Sequence, residues 1–195
     1  MNTKLIIVAC VLSLLFMACG KDDVNDTTPY NPPDTAPFTF LKVGNKWEYG
    51  HYNCENELTY SYKTTGIYLE KKGTYIVEGY PVTGGQSLWL VRDSNWYQSF
   101  DYNYEGDVFT LNSIILYGDC YVGQKWLDDR KLELEVLSVS DTVTVPAGTF
   151  YDCIKVMRHA GYGLVDSYLW YHKDIGFLMQ AADGYPTTKL ISKNF

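Results

Sequence analysis

The chain has 195 residues, 46% of them apolar, and sets 16 Lys and Arg against 23 Asp and Glu for a formal charge of −7 at pH 7. This length and apolar share allow one domain with a proper core. The acidic balance excludes nucleic acid as a partner, since that needs a basic footprint, and it speaks against adhesion to anionic bilayers.

From the start of the chain, Lys4 precedes a segment, Leu5 to Met17, that is apolar apart from Ser13 and ends at Ala18-Cys19. Such a segment reaches roughly 20 Å as a helix, short of the ~30 Å hydrocarbon core, so it reads as a secretory signal rather than a spanning helix. Ala18 and Cys19 resemble the end of a bacterial lipobox, which implies cleavage before Cys19 and acylation of its thiol. A rival match, Ile7-Val8-Ala9-Cys10, is rejected because cutting there leaves too few apolar residues ahead of the site and a greasy Val11–Met17 after it. Removing residues 1–18 takes Lys4 away and the formal charge to −8. Lys21-Asp22-Asp23 resembles a short signal that sends some gut-type Gram-negative lipoproteins to the cell exterior, which implies an outer-membrane anchor and outward display. Each buried methylene adds about 0.8 kcal/mol, so several acyl chains (palmitate-like) hold far more firmly than one.

Residues 19–37 form the acylated cysteine and a tether in which Pro29, Pro32, Pro33 and Pro37 stand among Asp, Asn and Thr. Such chain cannot bury enough apolar surface to offset its ordering entropy, and at about 3.1 Å per residue it reaches roughly 50 Å. Residues 38–195 read as one antiparallel β domain of about nine to eleven strands. Lys131-Leu132-Glu133-Leu134-Glu135-Val136 alternates with period two, and Thr142-Val143-Thr144-Val145 continues it beyond a turn expected at Ser140-Asp141. Trp47-Tyr49-His51, Leu58-Tyr60-Tyr62, Tyr75-Val77 and Tyr168-Trp170 are further sets that share a face. Breaks are expected at Lys72-Gly73, Gly84-Gly85, Glu105-Gly106, Gly118-Asp119, Pro146-Ala147-Gly148, Gly161 and Gly184. The fold expected is a single strongly curved antiparallel sheet, with a β-sandwich or a lipocalin-like barrel as alternatives.

One word occurs twice: Leu41-Lys42-Val43-Gly44-Asn45-Lys46-Trp47 returns as Cys120-Tyr121-Val122-Gly123-Gln124-Lys125-Trp126. In each, Gly permits a tight turn and Trp plugs the start of the next strand, as though like corners close the two ends of a sheet. Val43–Tyr49, the stretch Val143-Thr144-Val145-Pro146-Ala147-Gly148-Thr149-Phe150-Tyr151-Asp152-Cys153-Ile154-Lys155-Val156 and the stretch Leu169–Leu178 together resemble a group of uncharacterised Gram-negative envelope lipoproteins with a LolA-like half-barrel. That resemblance implies a curved sheet with an apolar hollow, usually covered by a short helix for which this chain offers no candidate. It makes Gly44, Trp47, Gly123, Trp126, Pro146, Gly148 and Phe150 structural signature positions.

The composition is unusually aromatic, at 16%, with 18 Tyr and five Trp. Strand propensity and core filling account for most of it. The densest stretch, Trp89, Trp96, Tyr97, Phe100, Tyr102 and Tyr104, is also the candidate ligand platform, since Asp93, Asn95, Gln98, Asp101 and Asn103 interleave hydrogen-bonding groups suited to a glycan. Cys54, Cys120 and Cys153 remain after acylation; if a bridge forms, Cys120 with Cys153 is the preferred pair, while a buried apolar Cys153 is the alternative. His51-Tyr52-Asn53-Cys54 has a metal-like gap, yet no second pair matches it, and His51, His159 and His172 read as structural. Glu133 and Glu135 project about 6.7 Å apart from one strand face, within the ~6.5–9.5 Å of inverting glycosidases, but any solvent-facing glutamate pair on a strand has this spacing. Gly161-Tyr162-Gly163 reads as a turn.

These residues lead to the expectation of a non-enzymatic, lipid-anchored binding module for an apolar or carbohydrate ligand, with no cofactor and no metal. A structural accessory docked on a larger envelope complex is the alternative, and a hydrolase a remote one.

Overall fold

The computed structural model describes residues 38–64, 66–71, 74–78, 86–104, 107–128, 130–160, 165–182 and 185–195. The signal, Cys19 and the tether lie outside the described residues, as do the breaks expected at Lys72-Gly73, Gly84-Gly85, Glu105-Gly106, Gly161 and Gly184. Among the described residues every regular element is a strand. In chain order they are β1 (Trp47–Tyr52), β2 (Leu58–Lys63), β3 (Gly66–Lys71), β4 (Thr74–Glu78), β5 (Gln86–Arg92), β6 (Asn95–Tyr104) and β7 (Asp107–Leu116). The series continues with β8 (Lys125–Leu127), β9 (Glu133–Val145), β10 (Gly148–Arg158), β11 (Ser167–His172), β12 (Gly176–Ala182) and β13 (Tyr185–Lys193).

The chain is all-β and antiparallel, as its alternation requires. Eight strands form a large open sheet in the order β2-β1-β13-β12-β11-β10-β9-β8, and β3 to β7 form a second sheet in sequential order. The thirteen strands and the second sheet go beyond the single wall of nine to eleven expected from the sequence. The large sheet is a meander from β8 to β13 that then captures β1, so strands at opposite ends of the domain become neighbours.

Period-two patterning shows directly in burial. Ser167, Leu169 and Tyr171 of β11 are buried while Tyr168, Trp170 and His172 are half-buried. On β9, Leu134 and Val136 point inward, and Glu133 and Glu135, which alternate with them, do not. The turn expected at Ser140-Asp141 is absent: β9 runs unbroken from Glu133 to Val145. The irregularities fall on both strands: β10 carries an extra residue between Phe150 and Cys153, where Asp152 takes φ +53°, and β9 carries extra residues between Asp141 and Ser138 and between Ser138 and Val136. Around these bulges consecutive Cys153 and Ile154 are both buried, which strict alternation forbids.

Both copies of the repeated word adopt one turn. Asn45 N donates to Lys42 O at 3.2 Å and Gln124 N to Tyr121 O at 3.1 Å, with Gly44 at φ +92° and Gly123 at φ +87° in the third turn position. Only glycine takes that backbone freely, which is why the word carries it. The turns lead into β1 and β8, one strand in from one edge of the large sheet and at the other edge.

Aromatic rings join the sheets. Phe40, fully buried in the loop before β1, has its ring centroid 6.0 Å from Trp47, 6.1 Å from Trp89 and 4.8 Å from Trp96, all edge-on. Trp96 on β6 meets Tyr171 on β11 at 5.8 Å and 90°. Trp47 Nε1 donates to Ile175 O at 2.8 Å, and Trp126 Nε1 on β8 donates to Ile114 O on β7 at 3.1 Å.

Candidate functional site: a cleft between the two sheets

The inward side chains of the large sheet line up in a row set by strand register. Tyr60, His51, Thr188 and Gln180 follow one another across β2, β1, β13 and β12. The row continues as Leu169, Val156 and Val136 on β11, β10 and β9, so one half is polar and the other apolar. Gln98 on β6 faces it from the second sheet, paired with Ser113 on β7, and Ile114 and Ile115 join them. Between these surfaces lies a cleft of about 400 Å³, within the range of small-molecule sites. Tyr62, Tyr171 and Phe177 also line it, Tyr171 and Phe177 only 5% exposed, and Arg130, Arg158, Asp128 and Leu134 close one end. His51 and Tyr60 are stacked with centroids 5.0 Å apart. The side-chain amides of Gln98 and Gln180 are half-buried and have no protein hydrogen-bond partner among the described residues. Rings beside amides that seek partners can hold a polyhydroxylated molecule.

The platform expected from the aromatic run is placed differently. Trp89 and Trp96 are each 1% exposed and packed around Phe40, so they fill the core and present no face to a ligand. Tyr97 is half-buried. Phe100, Tyr102 and Tyr104 fall on β6, but their side chains lie outside the described residues. Among the described side chains of that stretch, Gln98 is the one that reaches the cleft.

The pair preferred if a bridge forms, Cys120 with Cys153, is not bonded, and the alternative of a buried apolar Cys153 holds: Cys54, Cys120 and Cys153 are all free thiols. Cys153 is a buried filler in the bulged stretch of β10, while Cys120 donates to Tyr117 O in the turn before β8. Burial pushes both thiols up to about 11. Gly44, Trp47, Gly123 and Trp126 are the corner residues already described. Pro146 and Gly148 make the β9–β10 turn, and Phe150 packs against the core.

The glutamate pair gains partners that spacing alone did not reveal. Lys125 Nζ lies 2.9 Å from Glu133 and 3.1 Å from Glu135, and His159 Nε2 lies 3.7 Å from both. Asp166 sits 3.3 Å from His159 Nδ1. Hydrogen bonds to Glu133 and then Glu135 raise the Lys125 pKa, and the bond to Lys125 lowers that of Glu135. A general acid needs its carboxyl raised, so this shift does not suit Glu135 to that one role. Glu133, Glu135 and His159 place three ligand atoms within 4.8 Å of one another, but the Lys125 ammonium already bridges the carboxylates.

Gln98 was expected as a hydrogen-bonding group beside the aromatic run and His51 as structural, while Arg130, Arg158, Gln180 and Thr188 escaped sequence reasoning. One signal was there to find: Ile154, Val156 and Arg158 share a parity on β10, so a cation continues an inward apolar face.

No protein-family model matches the chain, and no curated protein matches it. Among solved structures it is similar to a crystal structure described as a "putative lipoprotein" from Parabacteroides distasonis ATCC 8503, with 15% identity, a TM-score of 0.47, and coverage of 80% of this chain and 99% of that one. None of these comparisons supplies a LolA-like relative.

Proposed function

We propose that the protein is a non-enzymatic envelope module, held on the outer membrane by an acylated Cys19 and facing outward, that binds a carbohydrate in the cleft between its sheets. The carrying observation is the pair of partnerless amides, Gln98 and Gln180, facing a cleft with the rings of Tyr62, Tyr171 and Phe177. An apolar ligand fits less well, because burying it there would desolvate those amides without replacing their hydrogen bonds. The address rests on the apolar segment, Ala18-Cys19, and the proline-rich tether. Titration calorimetry with neutral and acidic oligosaccharides and with lipids tests the ligand class. Saccharide binding weakened by Gln180→Ala is the expected result; saccharide binding that survives both Gln98→Ala and Gln180→Ala, or none at all, would refute it. Mass spectrometry of the mature N-terminus and protease shaving of intact cells test the anchor and its orientation.

A docking role has one specific observation in its favour. β2 is an edge strand of the large sheet, with Leu58 and Tyr60 more than half exposed. Crosslinking on whole cells that captures one abundant envelope protein, lost in Leu58→Lys, would favour this second reading.

A further inference from the structure

The charged end of the cleft is unlike the rest of the protein. Arg158 closes β10 opposite Ser167 on β11 and Leu134 on β9. Its guanidinium is half-buried, and its one hydrogen bond among the described residues runs from Nε to Ser167 Oγ at 3.2 Å. Other half-buried cations are better matched. Lys155 lies over the rings of Tyr168 and Trp170 at 4.9 and 5.0 Å, and Lys173 donates to Gly118 O at 2.7 Å. Lys189 donates to Asn56 Oδ1 at 2.6 Å and covers the Tyr52 ring. Arg130, exposed on the loop before β9, borders the same end of the cleft with no ion pair among the described residues. Asp128 is the carboxylate that lines this end; its Oδ1 accepts from Leu132 N at 2.9 Å, and neither arginine is within 4.0 Å of it in an ion pair. Among the described residues, two cations face one carboxylate at this end, in a chain that is acidic as a whole.

A partly desolvated guanidinium without an anion is costly, and a planar fork is suited to grip a carboxylate through two parallel hydrogen bonds. We propose that Arg158, flanked by Arg130, receives the carboxylate of an acidic saccharide whose hydroxyls meet Gln98, Gln180 and Thr188. The inference rests on the cleft being the binding site, and it adds a charge requirement to it. A fatty acid offers the same carboxylate and has apolar Leu169, Val156 and Val136 beside Arg158, but it leaves the amides of Gln98 and Gln180 without partners, so laurate is the competing ligand in the test.

Titration calorimetry of the mature chain with digalacturonate, its dimethyl ester and laurate separates the outcomes. The ester keeps the hydroxyls of the acid, removes its charge and adds one methyl group at each carboxyl. The acid is expected to bind about tenfold tighter than the ester, with the gap closing as salt rises from about 0.05 to 0.5 M. Arg158→Met should abolish the gap by weakening the acid alone, while Arg130→Gln, on an exposed loop, should narrow it. An unchanged urea midpoint in Arg130→Gln keeps that arm readable if Arg158→Met folds poorly. Equal affinity for acid and ester in the wild type would overturn the charge requirement and leave the cleft reading standing. Binding of neither saccharide would remove both. Laurate binding that depends on Arg158, without saccharide binding, would assign this end to lipid and overturn the inference.

Discussion

Removing the Phe40 ring should do damage out of proportion to its place in a loop. Phe40 is fully buried, and its ring meets Phe38, Trp47, Trp89 and Trp96, which belong to the entry loop, the large sheet and the second sheet. Its backbone cannot follow a shrinking side chain inward, because Phe40 O accepts both Lys42 N at 2.9 Å and Asn45 Nδ2 at 2.8 Å. Phe40→Ala therefore leaves a cavity that collapses poorly, and a cost of about 3–5 kcal/mol is expected, near the full range for buried Phe→Ala changes. Edge-on ring pairs are worth about 0.5–1.5 kcal/mol each beyond area, so the upper part of that range is the better figure. Urea unfolding followed by tryptophan emission measures it, with an unchanged m-value showing that the transition stays the same. Val43→Ala, at a position 60% exposed in the following turn, serves as the control. A loss below about 1.5 kcal/mol, the level of a tolerated volume-conserving swap, would mean that Phe40 is not the pin between the sheets.

Gly176→Ala should cost about 1–3 kcal/mol, since Gly176 sits at φ +90° and an added Cβ would stand 3.1 Å from the Phe40 ring. In a Phe40→Leu background the same change should cost less, and a double-mutant cycle by urea unfolding reads the coupling. Because burial lifts Cys120 and Cys153 from 9.0 to about 11, the unfolded chain ionises first; their contribution to stability is complete below pH 9 and is lost as pH rises towards 11. The urea midpoint should fall over that interval and fall less in Cys153→Ala; a flat profile would contradict the burial of these thiols. In a chain with Cys10 and Cys19 changed to Ser, a chromogenic disulfide reagent at pH 8 should titrate exposed Cys54 quickly and the other two only on unfolding. Lys125 is raised from 10.5 and Glu135 lowered from 4.5, so their mutual support holds between those values and fades outside them. Lys125→Met should lower the urea midpoint slightly at pH 7 and by less as pH falls below 4.5.

Local pattern decided a good deal. The alternation along β9 and β11 marks strands and tells which side chains point inward, because the two-residue period is a property of the backbone itself. The two glycine words mark their turns because only that residue takes the required backbone freely. Residues 1–23 likewise carry, without any tertiary contact, the resemblance to a lipoprotein signal from which a membrane address is expected. What period two cannot say is which strand lies beside which, or which face meets another. The division into eight and five strands, the capture of β1 by β13 and the bulge at Asp152 are long-range outcomes of packing. They bury Trp89 and Trp96, which read as an open platform, and leave Cys120 and Cys153 unbridged. They also carry Gln98, Arg158 and Gln180, far apart in the chain and unremarkable one by one, to the walls of one cleft. A face known to point inward becomes a core or a cavity only when the opposing sheet arrives, and that is settled by tertiary structure.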